Sequence, residues 1–294
     1  MAPTVRGGTR RLGAVDLMVD DRGREDAPVI VIALGFSAQI GGVPFPDDFV
    51  DALCGRGWRV VRFDYRDIGL STSFDDCPVD LDDIANRCAE GLPVQVPYLL
   101  TDMADDIAGL IHSLGRGVRA RLVGFSLGGL IARWVAVRHP EVVNSLVVMM
   151  SPLGTPGPAP AALKFMRAKA IRRERTQAID TDVETWRSYA GTAFPFDEAW
   201  VRQRVEFAYD RAYRPEAMQR QLAARLATPP ITGHQDSLAV PTRVVQCDCD
   251  PIIPVADAIP GAELMVIPGL GHELPPAAWP LLQDAVTAPI EQPS

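Results

Sequence analysis

One stretch constrains this chain more than any other. Arg121-Leu-Val-Gly124-Phe-Ser126-Leu-Gly128-Gly129 carries a short apolar strand into Gly-x-Ser-x-Gly. Leu130, Ile131, Trp134 and Val135 then follow at helical spacing. A strand passes to a helix this sharply only if the central residue accepts a strained backbone. The positions two before and two after it must carry almost no side chain. Gly124 and Gly128 meet that need, and Gly129 lets the helix approach the neighbouring strand. Such a turn lifts the Ser126 hydroxyl above a sheet edge. It also sets it at a helix N-terminus, whose partial positive charge favours a developing anion.

The turn requires a sheet with helices against it, and the remaining pattern agrees. Short, β-branched apolar runs recur at 14–19, 28–34, 58–63, 121–123, 146–150, 243–246 and 264–267. Continuous rather than alternating runs mark strands buried on both faces. Helical spacing appears at 100–114, where Asp105 and Asp106 are expected on the solvent side, at 127–138, and more weakly at 277–286. Strand–helix–strand order predicts an α/β fold with a mostly parallel sheet. The order breaks between Pro152 and Pro241. Pro- and Gly-rich ends there enclose a block of helix formers, with helices expected near 161–175, 181–191, 197–213 and 215–227. The expected organisation is a core of 1–151 and 241–294 with a helical cap at 152–240. Residues 72–98 read as a long irregular loop.

Composition closes off several classes. The chain has 294 residues, 47% of them hydrophobic. At that length folding buries roughly three quarters of the unfolded surface. The net charge is −8 and no basic stretch is present, which argues against nucleic-acid binding. No apolar run approaches the ~18 residues of a membrane span. The first residues lack the apolar segment of a secretory signal. The five cysteines, 54, 77, 88, 247 and 249, are odd in number and point away from a disulfide framework. The expectation is a soluble cytoplasmic protein, and the sequence carries no signal for assembly.

A serine is a weak nucleophile until a base takes its proton and a third group orients the base. Of the four histidines, His112 and His139 fall within or at the end of predicted helices, and His234 lies in the linker closing the cap. His272 sits in Pro268-Gly-Leu-Gly271-His272, a glycine-rich loop directly after an apolar strand, and is the expected base; His234 is its rival. The orienting acid belongs on a loop after a strand between serine and histidine. Asp248 and Asp250 both qualify. Asp250 is favoured because it is further past the strand and Pro251 biases it to extended backbone. Cys247 and Cys249 alternate with these acids, but without a second ligand cluster no metal is expected. A tetrahedral intermediate also needs two donors. The N–H of Leu127 is one, and the N–H of Phe36, after Gly35 at the end of an early strand, is the other.

With these residues in place the chain resembles the α/β-hydrolases over nearly its whole length. Arg62-Phe-Asp64-Tyr-Arg66-Asp67-Ile-Gly69-Leu-Ser71 is similar to that family's D-x-R-G-x-G-x-S loop. The Arg66-Asp67-Ile-Gly69 form, with Asp250-Pro251-Ile-Ile-Pro254, looks most like bacterial esterases of the aclacinomycin methylesterase type, which remove a methyl ester from a bulky polyketide glycoside. The resemblance implies the triad Ser126, Asp250 and His272, a helical cap, and hydrolysis of a small-molecule carboxylic ester through an acyl-enzyme without cofactor. Ser126 excludes relatives that use aspartate there, but leaves open a thioesterase, a C–C bond hydrolase, a cofactor-free haloperoxidase, and a non-hydrolytic scaffold acting as cyclase or ligand binder. The sequence departs from the family at Leu34-Gly35, where a histidine-glycine pair is usual, at Cys247, and at Asp67, where glycine is usual.

The cap has its own signature. Residues 155–235 hold 13 Lys and Arg against 9 acids. That excess could attract an anionic substrate, or it could be solvated helix faces with pairs one turn apart. Trp186, Tyr189, Phe194, Phe196 and Trp200 fall in the same block. They could line a substrate pocket or pack the cap onto the core.

Overall fold

The computed structural model describes residues 5–153, 160–231, 238–255 and 259–290. Its centre is an eight-stranded sheet: β1 Val5–Leu12, β2 Val15–Arg22, β3 Val29–Ala33, β4 Arg59–Phe63, β5 Ala120–Phe125, β6 Val143–Met149, β7 Thr242–Cys247 and β8 Glu263–Ile267. The spatial order is β1-β2-β4-β3-β5-β6-β7-β8. β2 is antiparallel to β1 and β4, and all pairs from β4 to β8 are parallel. Every residue of β3, β4 and β7 is buried, as continuous apolar runs require. β1 lies ahead of the first apolar run, with Arg10 and Arg11 near its end. Its sequence, VRGGTRRL, has no apolar alternation, and it forms because Gly13 at φ 59° closes a tight hairpin with β2.

The chain leaves β3 towards β4 on one side and reaches β5 on the other. The connections that leave the carboxyl ends of β3 and β5 therefore run to opposite sides, the usual place for a ligand crevice in such a sheet. Helices α1 Asp47–Gly55, α3 Leu100–Ser113, α4 Leu127–Arg138 and α9 Trp279–Thr287 flank the sheet, while α2 Leu81–Ala89 packs on the helical insertion between β6 and β7. The expected loop at 72–98 thus contains α2. The helix was illegible because it is nine residues long and buries only Ile84, although Asp80 caps it by accepting from the N–H groups of Asp82 and Asp83. A second correction concerns α3. Asp106 is buried rather than solvent-facing, receiving Arg66 at 2.7 and 2.8 Å, while Asp105 pairs with Arg138.

Between β6 and β7 come α5 Pro160–Lys169, α6 Arg175–Tyr189, α7 Glu198–Arg211 and α8 Pro215–Ala227. α6 and α7 share a small core of Ile179, Val183, Val201 and Val205 with Val43. α8 sits deeper and joins the main core through Ala217 and Ala224. The insertion's cations are mostly paired, and mainly between elements. Among the described residues, only Arg187–Glu184 and Arg202–Glu198 are one turn apart. Arg172 pairs with Glu216, Arg175 with Asp210, and Lys169 with Asp182. Two arginines anchor the insertion to acids in the loop after β4: Arg211 to buried Asp64 at 2.7 Å, and Arg220 to buried Asp67 at 2.6 and 2.8 Å. Asp67, at a position where glycine is usual in the family the chain resembles, is the socket for Arg220. No helix among the described residues is long and apolar enough to cross a membrane.

Candidate active site

β5 ends at Phe125 and α4 starts at Leu127, so Ser126 is the whole connection. Its backbone stands at φ 55° and ψ −120°, which an L residue adopts only when its surroundings enforce it. The enforcement is visible. Ser126 N–H donates to the Met149 carbonyl at 2.9 Å, and Gly129 N–H donates to the Ser126 carbonyl at 3.0 Å. A Cβ at Gly124 would collide with the Gly128 carbonyl, and one at Gly128 with the Ala33 carbonyl of β3. At Gly129 it would come within 2.6 Å of the Ser151 side chain. The glycines are thus set by the backbone packing of three neighbouring segments.

His272 Nε2 lies 3.0 Å from Ser126 Oγ, and His272 Nδ1 lies 2.7 Å from Asp250 Oδ2. A carboxylate only accepts, so Nδ1 carries the proton and Nε2 is left to accept from the serine hydroxyl. The other oxygen of Asp250 accepts from the N–H groups of Ile252 and Ile253 at 2.9 and 2.8 Å, which aims the carboxylate. Asp248 takes no part. It is exposed and accepts from Gly269 N–H at 2.6 Å. His139 pairs with Asp105 at the end of α4, and His234 lies outside the described residues.

His272 is 3% exposed and its loop is clamped by the end of α6 and the stretch after it. His272 N–H donates to the Tyr189 carbonyl at 2.9 Å, and the N–H groups of Thr192 and Ala193 donate to Gly269 at 2.8 and 2.9 Å. Gly271 and Gly191 are required because a Cβ on either would enter the opposing backbone. Glu273, buried beside this contact, accepts from Gly191 N–H at 3.0 Å. Burial pushes its carboxyl above the usual range, and the single bond from Gly191 only partly opposes this.

After β3, Gly35 to Ala38 form a tight turn closed by Ala38 N–H donating to Gly35 at 3.2 Å. Gly35 packs against Phe125, 3.1 Å from where its Cβ would be. Among the described residues no acceptor meets the N–H of Phe36 or of Leu127. These are the two donors expected from the sequence, at the carboxyl ends of β3 and β5.

The aromatic block divides. The Tyr189 ring stands edge-on to His272, with centroids 5.5 Å apart, and Trp186 packs on Tyr189. Phe196 and Trp200 instead pack around the core shared by α6 and α7, Trp200 also against Trp279, and Phe194 packs on the main core. Sequence reasoning missed Phe165 of α5, which bridges Tyr189 at 5.0 Å and Phe36 at 6.4 Å, and Ile252 and Ile253, which cluster with Tyr189. An isolated aromatic in a helix of ordinary composition gave no signal. The five cysteines are unpaired, and burial pushes the Cys247 thiol up.

The sequence profile of the alpha/beta hydrolase family matches residues 16–289. The chain belongs to this family. Among curated proteins, this hydrolase is 29% identical to rhodomycin D methylesterase of Streptomyces peucetius, with 90% of each chain covered. It is 28% identical to the rhodomycin D methylesterase of Streptomyces sp. strain C5 over the same share. Among solved structures, the alpha/beta hydrolase here superimposes on the enol-lactonase of Burkholderia xenovorans with a TM-score of 0.70 at 18% identity, covering 95% of this chain and 98% of that one.

Proposed function

We propose that this hydrolase cleaves a carboxylic ester through an acyl-enzyme on Ser126. The observation that carries the reading is the hydrogen-bonded chain from Ser126 through His272 to Asp250. In this reading His272 Nε2 takes the hydroxyl proton as Ser126 Oγ attacks the ester carbonyl. The N–H groups of Phe36 and Leu127 receive the oxyanion; one such donor contributes about 3–4 kcal/mol to the barrier in enzymes of this kind. His272 then delivers the proton to the leaving alcohol, and Asp250 holds the tautomer and stabilises the imidazolium. Water repeats the sequence on the acyl-enzyme. The side chains and water complete the cycle, so no cofactor is called for.

Residues 152–240 are the cap in this scheme, covering the crevice between β3 and β5. Phe36, Phe165 and Tyr189 form an apolar wall that suits a bulky, flat acyl group. The two relatives named as methylesterases support a methyl ester as the bond cleaved. The test is labelling with a fluorophosphonate and turnover of p-nitrophenyl esters. Ser126→Ala should abolish both, and persistent labelling of that variant would overturn the assignment.

A further inference from the structure

The turn that presents the Phe36 N–H is strained and does not hold itself. Ser37 sits at φ 58°, in the left-handed region, where a serine costs about 1–3 kcal/mol unless something fixes it. The peptide between Phe36 and Ser37 is the one such turns can flip. It is fixed from outside the core. Ser37 N–H donates at 2.7 Å to Oε1 of Gln221, a residue of α8 that is 184 positions away in sequence. Gln221 is fully buried. Its amide therefore meets Ser37 where no water competes for the bond.

The turn's flank is tied to the preceding helix of the insertion, α7. Gln39 Nε2 donates to the Ala208 and Ala212 carbonyls at 2.9 Å each, and its Oε1 accepts from Arg211 at 2.9 Å. Ile40 N–H donates to Asp64 at 2.8 Å, and Asp64 is the acid that receives Arg211. Next to Gln221, Arg220 is seated in Asp67. α8 is thus fixed to the core at one residue and reaches the turn with the following one.

We propose that Gln221 is a positioning residue for the oxyanion donor. By accepting from Ser37 N–H it holds the Phe36–Ser37 peptide in place, and through it the adjoining Gly35–Phe36 peptide, whose N–H the turn presents to the developing charge. The cap then does more than cover substrate, since the catalytic geometry of the core is incomplete without α8. The inference rests on the ester-hydrolase reading above.

Gln221→Met removes the acceptor at similar volume, and Gln221→Asn retracts it by one methylene while keeping a polar side chain. Both are measured with p-nitrophenyl acetate. The expected result for each is a kcat at least about tenfold lower with KM within about threefold, because the lost interaction acts on the transition state. Affinity for an aryl trifluoromethyl ketone, whose adduct carries an oxyanion, should fall in proportion to kcat/KM. A merely structural defect would not produce that proportionality. Adding Ser37→Gly to Gln221→Met removes the steric cost of the left-handed backbone and should recover part of the loss. Should both variants keep kcat within about twofold, or lose only KM, the positioning role is wrong. If Gln221→Met does not fold, as judged by circular dichroism, Gln221→Asn decides by the same criteria. Failure of the underlying reading looks different: the unmodified protein itself would not be labelled by fluorophosphonate and would not turn over the ester.

Discussion

Replacing Asp67 with glycine sets two effects of opposite sign against each other. Asp67 holds φ at 71°, which costs an L residue about 1 kcal/mol that glycine does not bear. Its carboxylate, however, is fully buried and receives Arg220 twice, Tyr98 Oη at 3.1 Å and Phe74 N–H at 3.1 Å. The Arg220 side chain is only 3% exposed. Stripping one partner from a buried ion pair costs about 3–5 kcal/mol. Asp75 stays 3.0 Å from Arg220 and keeps the cost at the lower end. The balance is a net loss of roughly 2 kcal/mol, or about 4–8 °C in Tm at about 2–4 °C per kcal/mol. Thermal melts of the wild type, Asp67→Gly, Arg220→Met and the double variant measure this. The double variant should be more stable than the sum of the two single losses predicts, because each single change leaves the other charge buried. A glycine variant melting at or above the wild type would refute the reasoning: backbone relief would then outweigh the ion pair.

The two candidate acids separate cleanly. Asp250→Asn should lower kcat on p-nitrophenyl acetate by about 10⁴, since an amide favours the wrong imidazole tautomer, whereas Asp248→Asn keeps an acceptor for Gly269 and should cost less than about threefold. Equal losses, or the reverse ranking, would move the acid. Glu273 gives a pH signature. Burial raises its pKa in the fold, so the charged form is disfavoured there, and stability falls as pH rises from the unfolded value through the folded one. Glu273→Gln keeps an acceptor for Gly191 without the charge. Its Tm should match the wild type near about pH 4 and exceed it near about pH 8; a difference independent of pH would refute this.

Local patterns sufficed for much of the molecule. The elbow around Ser126 is legible because steric demands at three glycines a few residues apart are written in adjacent letters. α4 falls at 127–138, the residues its apolar stripe predicts, and the central strands match because burial on both faces leaves an unbroken apolar run. The insertion was legible as three or four helices between Pro- and Gly-rich ends, with α7 and α8 near their expected places, but the first two helices, expected near 161–175 and 181–191, run over 160–169 and 175–189. Asp250 was separable from Asp248 by the proline that follows it.

Long-range packing settled the rest, because partners 153 or 184 residues apart leave no local trace. Nothing around Asp67 announces Arg220, and nothing around Ser37 announces Gln221. The roles of the insertion's aromatics, Tyr189 on the histidine and Trp200 in a separate core, depend on how α6 and α7 pack on each other and on the loops that carry Val43 and His272. α2 and β1 exist mainly through what they dock against, having too little apolar periodicity to declare themselves. Side-chain chemistry is a property of letters, and so the three side chains that meet at the carboxyl edge, Ser126, His272 and Asp250, could be named from the chain alone. Orientation is a property of contacts, and the groups that aim those side chains appear only once the chain has folded.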